Sequence, residues 1–357
     1  MFSGILAAVV VLGVLIVVHE FGHFIVAKWA GVGVLKFSVG FGPRLVSRTV
    51  NGTEYALSAI PLGGFVKMVG EDPESPEPLD PRISFSHQSV WKRISIVVAG
   101  PAFNLLFAFL AFSFVFAVYG QRVPSDVAKV GGVMPNLPAA QAGVESGDVV
   151  VAVNDAQVAN WDALSAAIRA SEGKPVVLHV QRAGADVSVT VTPQAQPDKN
   201  LFGEVVGQAY VIGIERGVDQ VDVGPLEAIA DGAKQTVWWI ETLAMSVVKI
   251  FQGRISAQEV GGPIAIAQAA HMQAQGGLDA FLAFMAVISI NLGILNLLPI
   301  PILDGGHLLF FLIEIVMRRP LEMRHREIAQ QVGLVLLIGL MGFAFYNDIL
   351  RIVRGWG

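Results

Sequence analysis

Val17-Val18-His19-Glu20-Phe21-Gly22-His23-Phe24 sits inside a run, residues 2–30, whose only other ionisable group is Lys28. The run exceeds the roughly twenty apolar residues that cross a hydrocarbon core. On a helix, positions i and i+4 share a face, so His19 and His23 can hold one metal ion together. Glu20 falls beside that face, where a general base for a metal-activated water belongs. A lone buried histidine is most often a satisfied core residue, but two at helical spacing beside a carboxylate inside a span are not. Ionisable groups at membrane depth are costly and mark function. A secretory leader does not explain the run, because it lacks a basic start and a small-residue cleavage site ahead of its charges.

Composition agrees. Of the 357 residues 54% are hydrophobic and 15% charged, which describes an integral membrane protein carrying some soluble mass. A net charge of −5 and no long Lys/Arg cluster leave no footprint for nucleic acid. The chain has no cysteine, which excludes disulfides, thiolate metal sites and cysteine nucleophiles. Any metal must use histidine and carboxylate.

Residues 31–93 after the first span are too polar to cross. Within them 45–50, the Asn51-Gly52 pair and 53–60 predict a tight β-hairpin, and 61–68 a further strand. Residues 71–81 are acidic and proline-rich and predict an exposed loop. A second span covers 94–120, interrupted by Gly100-Pro101 and Asn104; packing against a neighbouring helix accounts for Asn104. Residues 121–217 have short alternating strands and ordinary charge density. Their Pro138-Ala139-Ala140-Gln141-Ala142-Gly143-Val144-Glu145-Ser146-Gly147-Asp148 segment resembles a PDZ domain in its circularly permuted bacterial form. That resemblance implies peptide binding by strand addition.

Residues 218–277, with Trp238-Trp239, predict amphipathic helices at the membrane interface, broken at Gly261-Gly262-Pro263. Residues 278–317 are apolar and, if fully helical, roughly 60 Å long, too long for one straight crossing. Asn296-Leu297-Leu298-Pro299-Ile300-Pro301-Ile302-Leu303-Asp304-Gly305-Gly306-His307 forces unwinding there. Unwound backbone at membrane depth is tolerated where it lines a cavity. A basic loop, 318–330, precedes a last span at 331–350. The basic residues after the first and third spans fall on one side, which the positive-inside rule makes cytoplasmic. Residues 121–217 and both termini then lie outside the cytoplasm, and His23 and Asp304 meet at one depth.

Taken together, the first-span HEFGH, Gly100-Pro101-x-x-Asn104, one PDZ-like segment and the Asn296–Gly306 motif resemble the site-2 protease family of intramembrane zinc metalloproteases, in its bacterial RseP-like branch. The resemblance covers nearly the whole chain. It implies a polytopic α-helical membrane protein with about four transmembrane helices, a membrane-associated β-hairpin sheet and an inserted extracytoplasmic PDZ-like β/α domain. It implies Zn2+ held by His19, His23 and Asp304, Glu20 as catalytic base, and Asn296 in placing substrate backbone. The implied reaction is hydrolysis of peptide bonds in single-span membrane proteins already trimmed outside the membrane, such as anti-sigma factors or signal-peptide remnants. The implied setting is the bacterial cytoplasmic (inner) membrane. Better-known members of that branch carry two tandem PDZ domains, whereas this chain has room for one.

Elimination bears on the third ligand. With no cysteine, it must be histidine, aspartate or glutamate. His307, three residues beyond Asp304, is the serious competitor. Asp304 lies between the proline pair and the glycine pair, where a bent backbone can aim a short carboxylate at the first helix. Two other classes compete with the enzyme. A transporter predicts internal repeats, and none is visible; a membrane-anchored PDZ adaptor needs no metal.

Overall fold

The computed structural model describes residues 2–71, 80–200, 204–255, 261–319 and 321–354. Most of the proline-rich loop expected at 71–81 lies outside the described residues. The chain divides into two compact units, Tyr119–Gly224 and the two flanking segments Met1–Val118 with Pro225–Gly357.

In the flanking unit, α1 (Phe2–Trp29) carries the HEFGH motif in one unbroken helix. Gly31, at φ 81°, adopts the left-handed conformation that ends it, and the Val32 N–H turns back to the Ala27 carbonyl at 2.9 Å. Two strands follow, β1 (Val34–Val50) and β2 (Thr53–Met68), each bent into two legs. Residues 34–39 pair with 64–68 and, over 36–39, with 54–57, while 44–50 pair back onto 53–58, so two strands build a four-legged antiparallel sheet. The hairpin turn at Asn51-Gly52 forms with both residues at positive φ, 49° and 75°, as a type I′ turn requires. Phe24, Ala27, Val34, Met68 and Ile96 form a shared core beneath the end of α1.

The second span, α2 (Val90–Tyr119), starts earlier than expected, taking Trp91-Lys92-Arg93 into the helix, and continues through Pro101. Lys92 Nζ donates to the Ala30 carbonyl at 2.8 Å, and Trp29 and Trp91 are both exposed, as aromatic residues at a bilayer interface are. Further along, α5 (Pro225–Phe251), α6 (Pro263–Gln275), α7 (Leu278–Asn296), α8 (Asp304–Met317) and α9 (Met323–Val353) complete this unit. Proline at the first position of α5 and α6 suits helix starts, where the missing N–H has no partner to lose. The basic loop expected at 318–330 shrinks, because nothing in residues 323–330 breaks a helix and α9 begins at Met323. Four helices, Gly4–Trp29, Val90–Tyr119, Leu278–Asn296 and Arg324–Val353, are long and apolar enough to cross a membrane. Their outward residues Ile5, Leu110, Val335 and Ile338 are exposed, a surface lipid would cover.

α6 leans on α1, with Ala270 packed among Ala7, Val11 and Leu15. Its first turn is capped from α9. The buried Asp348 carboxylate accepts from the N–H groups of Gly262 at 2.9 Å, Ile264 at 2.9 Å and Ala265 at 3.3 Å. Those are donors that a helix start leaves without internal partners.

The inserted unit folds around its own core of Val150, Val153, Leu164, Leu178, Val180 and Ile212. Its elements in order are β3 (Gln121–Pro124), β4 (Val130–Val133), α3 (Pro138–Ala142), β5 (Val149–Val153), β6 (Ala156–Gln157) and α4 (Trp161–Ala170). Then come β7 (Val176–Arg182), β8 (Ala185–Val191), β9 (Gln194–Lys199), β10 (Val205–Val211), β11 (Ile214–Arg216) and β12 (Val218–Val221). The main sheet runs β6-β5-β7-β8, while β4 pairs with β11 and β3 with β12, closing the unit's two ends against each other. Buried Asp148 takes Arg182 Nε and Nη2 at 2.8 Å each and the Glu145 N–H at 3.0 Å. A groove of about 210 Å³ runs beside α4, lined by Leu137, Leu164, Ile168, Tyr210 and Ile212.

Candidate metal centre

His19 and His23 lie one helical turn apart on α1, roughly 9–15 Å along the axis from Trp29. Their Nε2 atoms are 3.1 Å apart and their rings meet edge to face at 4.8 Å. Both side chains are buried. A backbone carbonyl can only accept, so the 2.8 Å contact of His23 Nδ1 with the Ile96 carbonyl puts the ring proton on Nδ1. The lone pair of His23 Nε2 is thereby left facing His19.

Asp304 arrives from the other end of the chain. After α7 stops at Asn296, residues 297–303 turn back in tight bends and α8 begins at Asp304 itself. Gly305 and Gly306 permit this return. A Cβ on Gly305 would run into the Leu297 and Leu298 carbonyls, and one on Gly306 into Ile300 and Pro301. The carboxylate lands with Oδ2 3.1 Å from His19 Nε2 and Oδ1 3.6 Å from His23 Nε2. Asp304 Oδ2 is buried and has no hydrogen-bond partner. Among the described residues, His19, His23 and Asp304 are the group whose ligand atoms all fall within 4.8 Å of one another.

Gly100, on α2, faces the two rings. A Cβ there would strike His23 Nε2 and Cε1 and lie 2.8 Å from His19 Cε1. Asn104, one turn further on, is fully buried with its amide 3.2 Å from His19 Nδ1. The packing role expected of Asn104 is therefore incomplete. The signal was present in the sequence, as a polar amide one turn beyond Gly100-Pro101 in a span, but its partner on α1 was not.

Glu20 lies at the rim, half-buried, and its Oε2 accepts the Val66 N–H at 3.1 Å. Glu20, His23, Asp304, His307, Val66 and Met68 share the wall of a cavity of about 540 Å³. Asn296, the expected substrate contact, is half-buried at the last residue of α7 and is not among the residues lining that cavity. Arg93, Phe311 and Arg326 also line the cavity; Arg93 Nη2 donates to Glu314 Oε1 at 2.5 Å and its guanidinium lies over the Phe311 ring, while Arg326 Nη2 stands 3.7 Å from Glu314 Oε2. This cluster ties α2, α8 and α9 together. Sequence reasoning missed it, since nothing in the spacing of Arg93, Glu314 and Arg326 announces a shared partner.

The comparisons accord with this geometry. The model of peptidase family M50 matches residues 7–340. A protein of Agrobacterium fabrum named "Putative zinc metalloprotease" is 35% identical, covering 97% of this chain and 95% of its own. A similarly named protein of Campylobacter jejuni is 37% identical over 98% and 94%. The regulator of sigma-E protease RseP of Salmonella typhimurium is 32% identical over 97% and 98%. The chain belongs to peptidase family M50, the site-2 protease family, and is a protease.

Proposed function

We propose that the protein cleaves peptide bonds within transmembrane segments of single-span proteins, using zinc held by His19, His23 and Asp304. The observation that carries this reading is the meeting of Asp304 with His19 and His23, beside Glu20, on a helix long and apolar enough to cross a membrane. The donor set fits the ion. Two ligand atoms 2.0–2.1 Å from one tetrahedral zinc sit roughly 3.3 Å apart. The Nε2 pair at 3.1 Å and the Asp304 contacts at 3.1 and 3.6 Å fall near that spacing. The partnerless Asp304 Oδ2 is the kind of buried anion that a divalent cation relieves.

Bound zinc supplies a Lewis acid that acidifies water and polarises the scissile carbonyl. The chain's own residues supply the rest. Glu20 takes the proton of the attacking water as oxygen joins the carbonyl carbon. It then hands that proton to the amide nitrogen as the C–N bond breaks. The Val66 N–H keeps the Glu20 carboxylate pointed into the cavity. Residues 64–68 form an outer leg of the sheet beside that cavity, and an extended substrate can add to its edge. Asn296 is assigned to holding substrate backbone on the approach to the site.

The setting follows from charge and exposure. The proposed setting is the bacterial cytoplasmic membrane, with the ends of α1 and α8 towards the cytoplasm and 121–217 outside, an orientation the positive-inside rule supports. The inserted unit is read as a PDZ-like domain whose groove beside α4 takes peptide ends. Substrates are single-span proteins already shortened outside the membrane, anti-sigma factors or signal-peptide remnants. The test is a proteomic comparison of membranes from cells carrying wild-type enzyme or Glu20→Gln. Short membrane-embedded fragments should accumulate with the variant. Identical fragment profiles would remove the intramembrane reading.

A further inference from the structure

We infer that Asn104 sets the tautomer of His19: its side-chain oxygen accepts the Nδ1 proton, so that Nε2 presents a lone pair to the metal. This rests on the reading of His19 as a ligand. A histidine that binds metal through Nε2 must carry its proton on Nδ1, and whatever faces Nδ1 must then accept. His23 meets that demand through the Ile96 carbonyl at 2.8 Å. For His19 the group at Nδ1 is the Asn104 amide, 3.2 Å away.

A carboxamide offers two orientations of nearly equal shape. With Nδ2 against the ring, Asn104 Oδ1 is buried without a partner, and His19 would have to carry its proton on Nε2. That proton would point into the space shared with His23 Nε2 and Asp304 Oδ2, each 3.1 Å away, and Nε2 would be lost as a ligand. A half-turn about Cβ–Cγ brings Oδ1 to Nδ1 and reverses the outcome. The ring decides between the two, and a metal-ligating ring demands the oxygen.

The rest of Asn104 is held in place for this. Its backbone carbonyl accepts from Ser289 Oγ on α7 at 2.8 Å, and its side chain is fully buried. Asparagine also supplies an acceptor without adding a second full negative charge beside Asp304 inside the membrane. Asn104 is a positioning residue, acting on the metal through His19.

The experiment is zinc affinity of the full-length protein in detergent, measured by chelator competition, for wild type, Asn104→Leu, Asn104→Asp and His19→Ala. Loss of an outer partner of a ligating histidine typically weakens metal binding about 10–100-fold. Asn104→Leu should show that loss, whereas Asn104→Asp, which still accepts, should bind zinc within about threefold of wild type or more tightly. Asn104→Leu binding like wild type, or Asn104→Asp falling as far as Asn104→Leu, overturns the inference. Should Asn104→Leu fail to fold, 15N shifts of the His19 ring in the zinc-free wild type decide, because there the metal does not impose the tautomer. A protonated Nδ1 supports the proposal and an unprotonated Nδ1 overturns it. His19→Ala must lose far more affinity than Asn104→Leu; an unchanged affinity there removes the ligand reading, and this inference with it.

Discussion

Val66, on the outer leg of a small sheet, donates its backbone N–H to the carboxylate of Glu20 on the first membrane helix, at 3.1 Å. The two residues are 46 positions apart, and the contact fixes where a proton acceptor points relative to His19 and His23. Glu20→Gln keeps the side chain's shape and removes its basicity. Zinc content, read by atomic absorption, should stay at the wild-type level, while cleavage of a single-span substrate in detergent should fall about 10²–10⁴-fold. Turnover within tenfold of wild type would sink the assignment of Glu20.

Asp304 and His307 both line the cavity, but only Asp304 reaches the histidine nitrogens within 4 Å. Asp304→Asn should therefore lower zinc occupancy and activity together, and His307→Ala should retain the metal. An emptied site in His307→Ala with a full one in Asp304→Asn would reverse the ligand assignment.

Gly100 faces both rings, and a Cβ there would meet His23 and His19 alike. The Gly100→Ala methyl group has no room unless the rings turn, so zinc affinity should fall at least tenfold while the helices still form. Circular dichroism alongside chelator competition separates the two effects, and an unchanged affinity would mean that the rings move freely.

Orientation can be read chemically because the chain has no native cysteine. Thr190 on β8 and Ser89 just ahead of α2 are both exposed. In intact cells an impermeant maleimide should label Thr190→Cys and spare Ser89→Cys. The opposite pattern would invert the proposed topology.

Asp148 gives the inserted unit a pH signature. Its hydrogen bonds from Arg182, and then the Glu145 N–H, hold its carboxyl below the ordinary aspartate range. A depressed folded-state pKa adds stability above the unfolded value, and that stability is lost as pH falls through the folded one. Asp148→Asn should cost about 1–3 kcal/mol at pH 7. The difference from wild type should shrink on acidification below about pH 4, where the unfolded carboxyl begins to protonate. Hydrogen exchange of the β5 and β7 amides in the full chain measures it, and a pH-independent difference would contradict the mechanism.

Much of this site was legible from residue order. His19 and His23 announce themselves by helical spacing, and the proline and glycine pairs around Asp304 announce a break. The hairpin at Asn51-Gly52 was equally plain, because positive φ at two successive residues leaves few alternatives. What spacing does not carry is which helix faces which. Spacing assigns Asn104 no more than packing, because its partner, His19, lies 85 residues away on another helix. Arg93 and Glu314, 221 residues apart, were invisible as a pair for the same reason. The Val66 contact to Glu20 depends on how far the sheet climbs beside α1, which no local pattern encodes.

The cap that Asp348 places on α6 sets an order of events during synthesis. Asp348 follows Gly262 by 86 residues, and the helix it caps leans on α1, made far earlier. A chain still leaving the ribosome therefore holds its first helix, histidines included, without the finished support that α6 provides. Asp304, too, is made long after His19 and His23. The three side chains of the proposed metal centre can thus meet only after Asp304 has been made, so that a chain stopped short of it holds no complete centre.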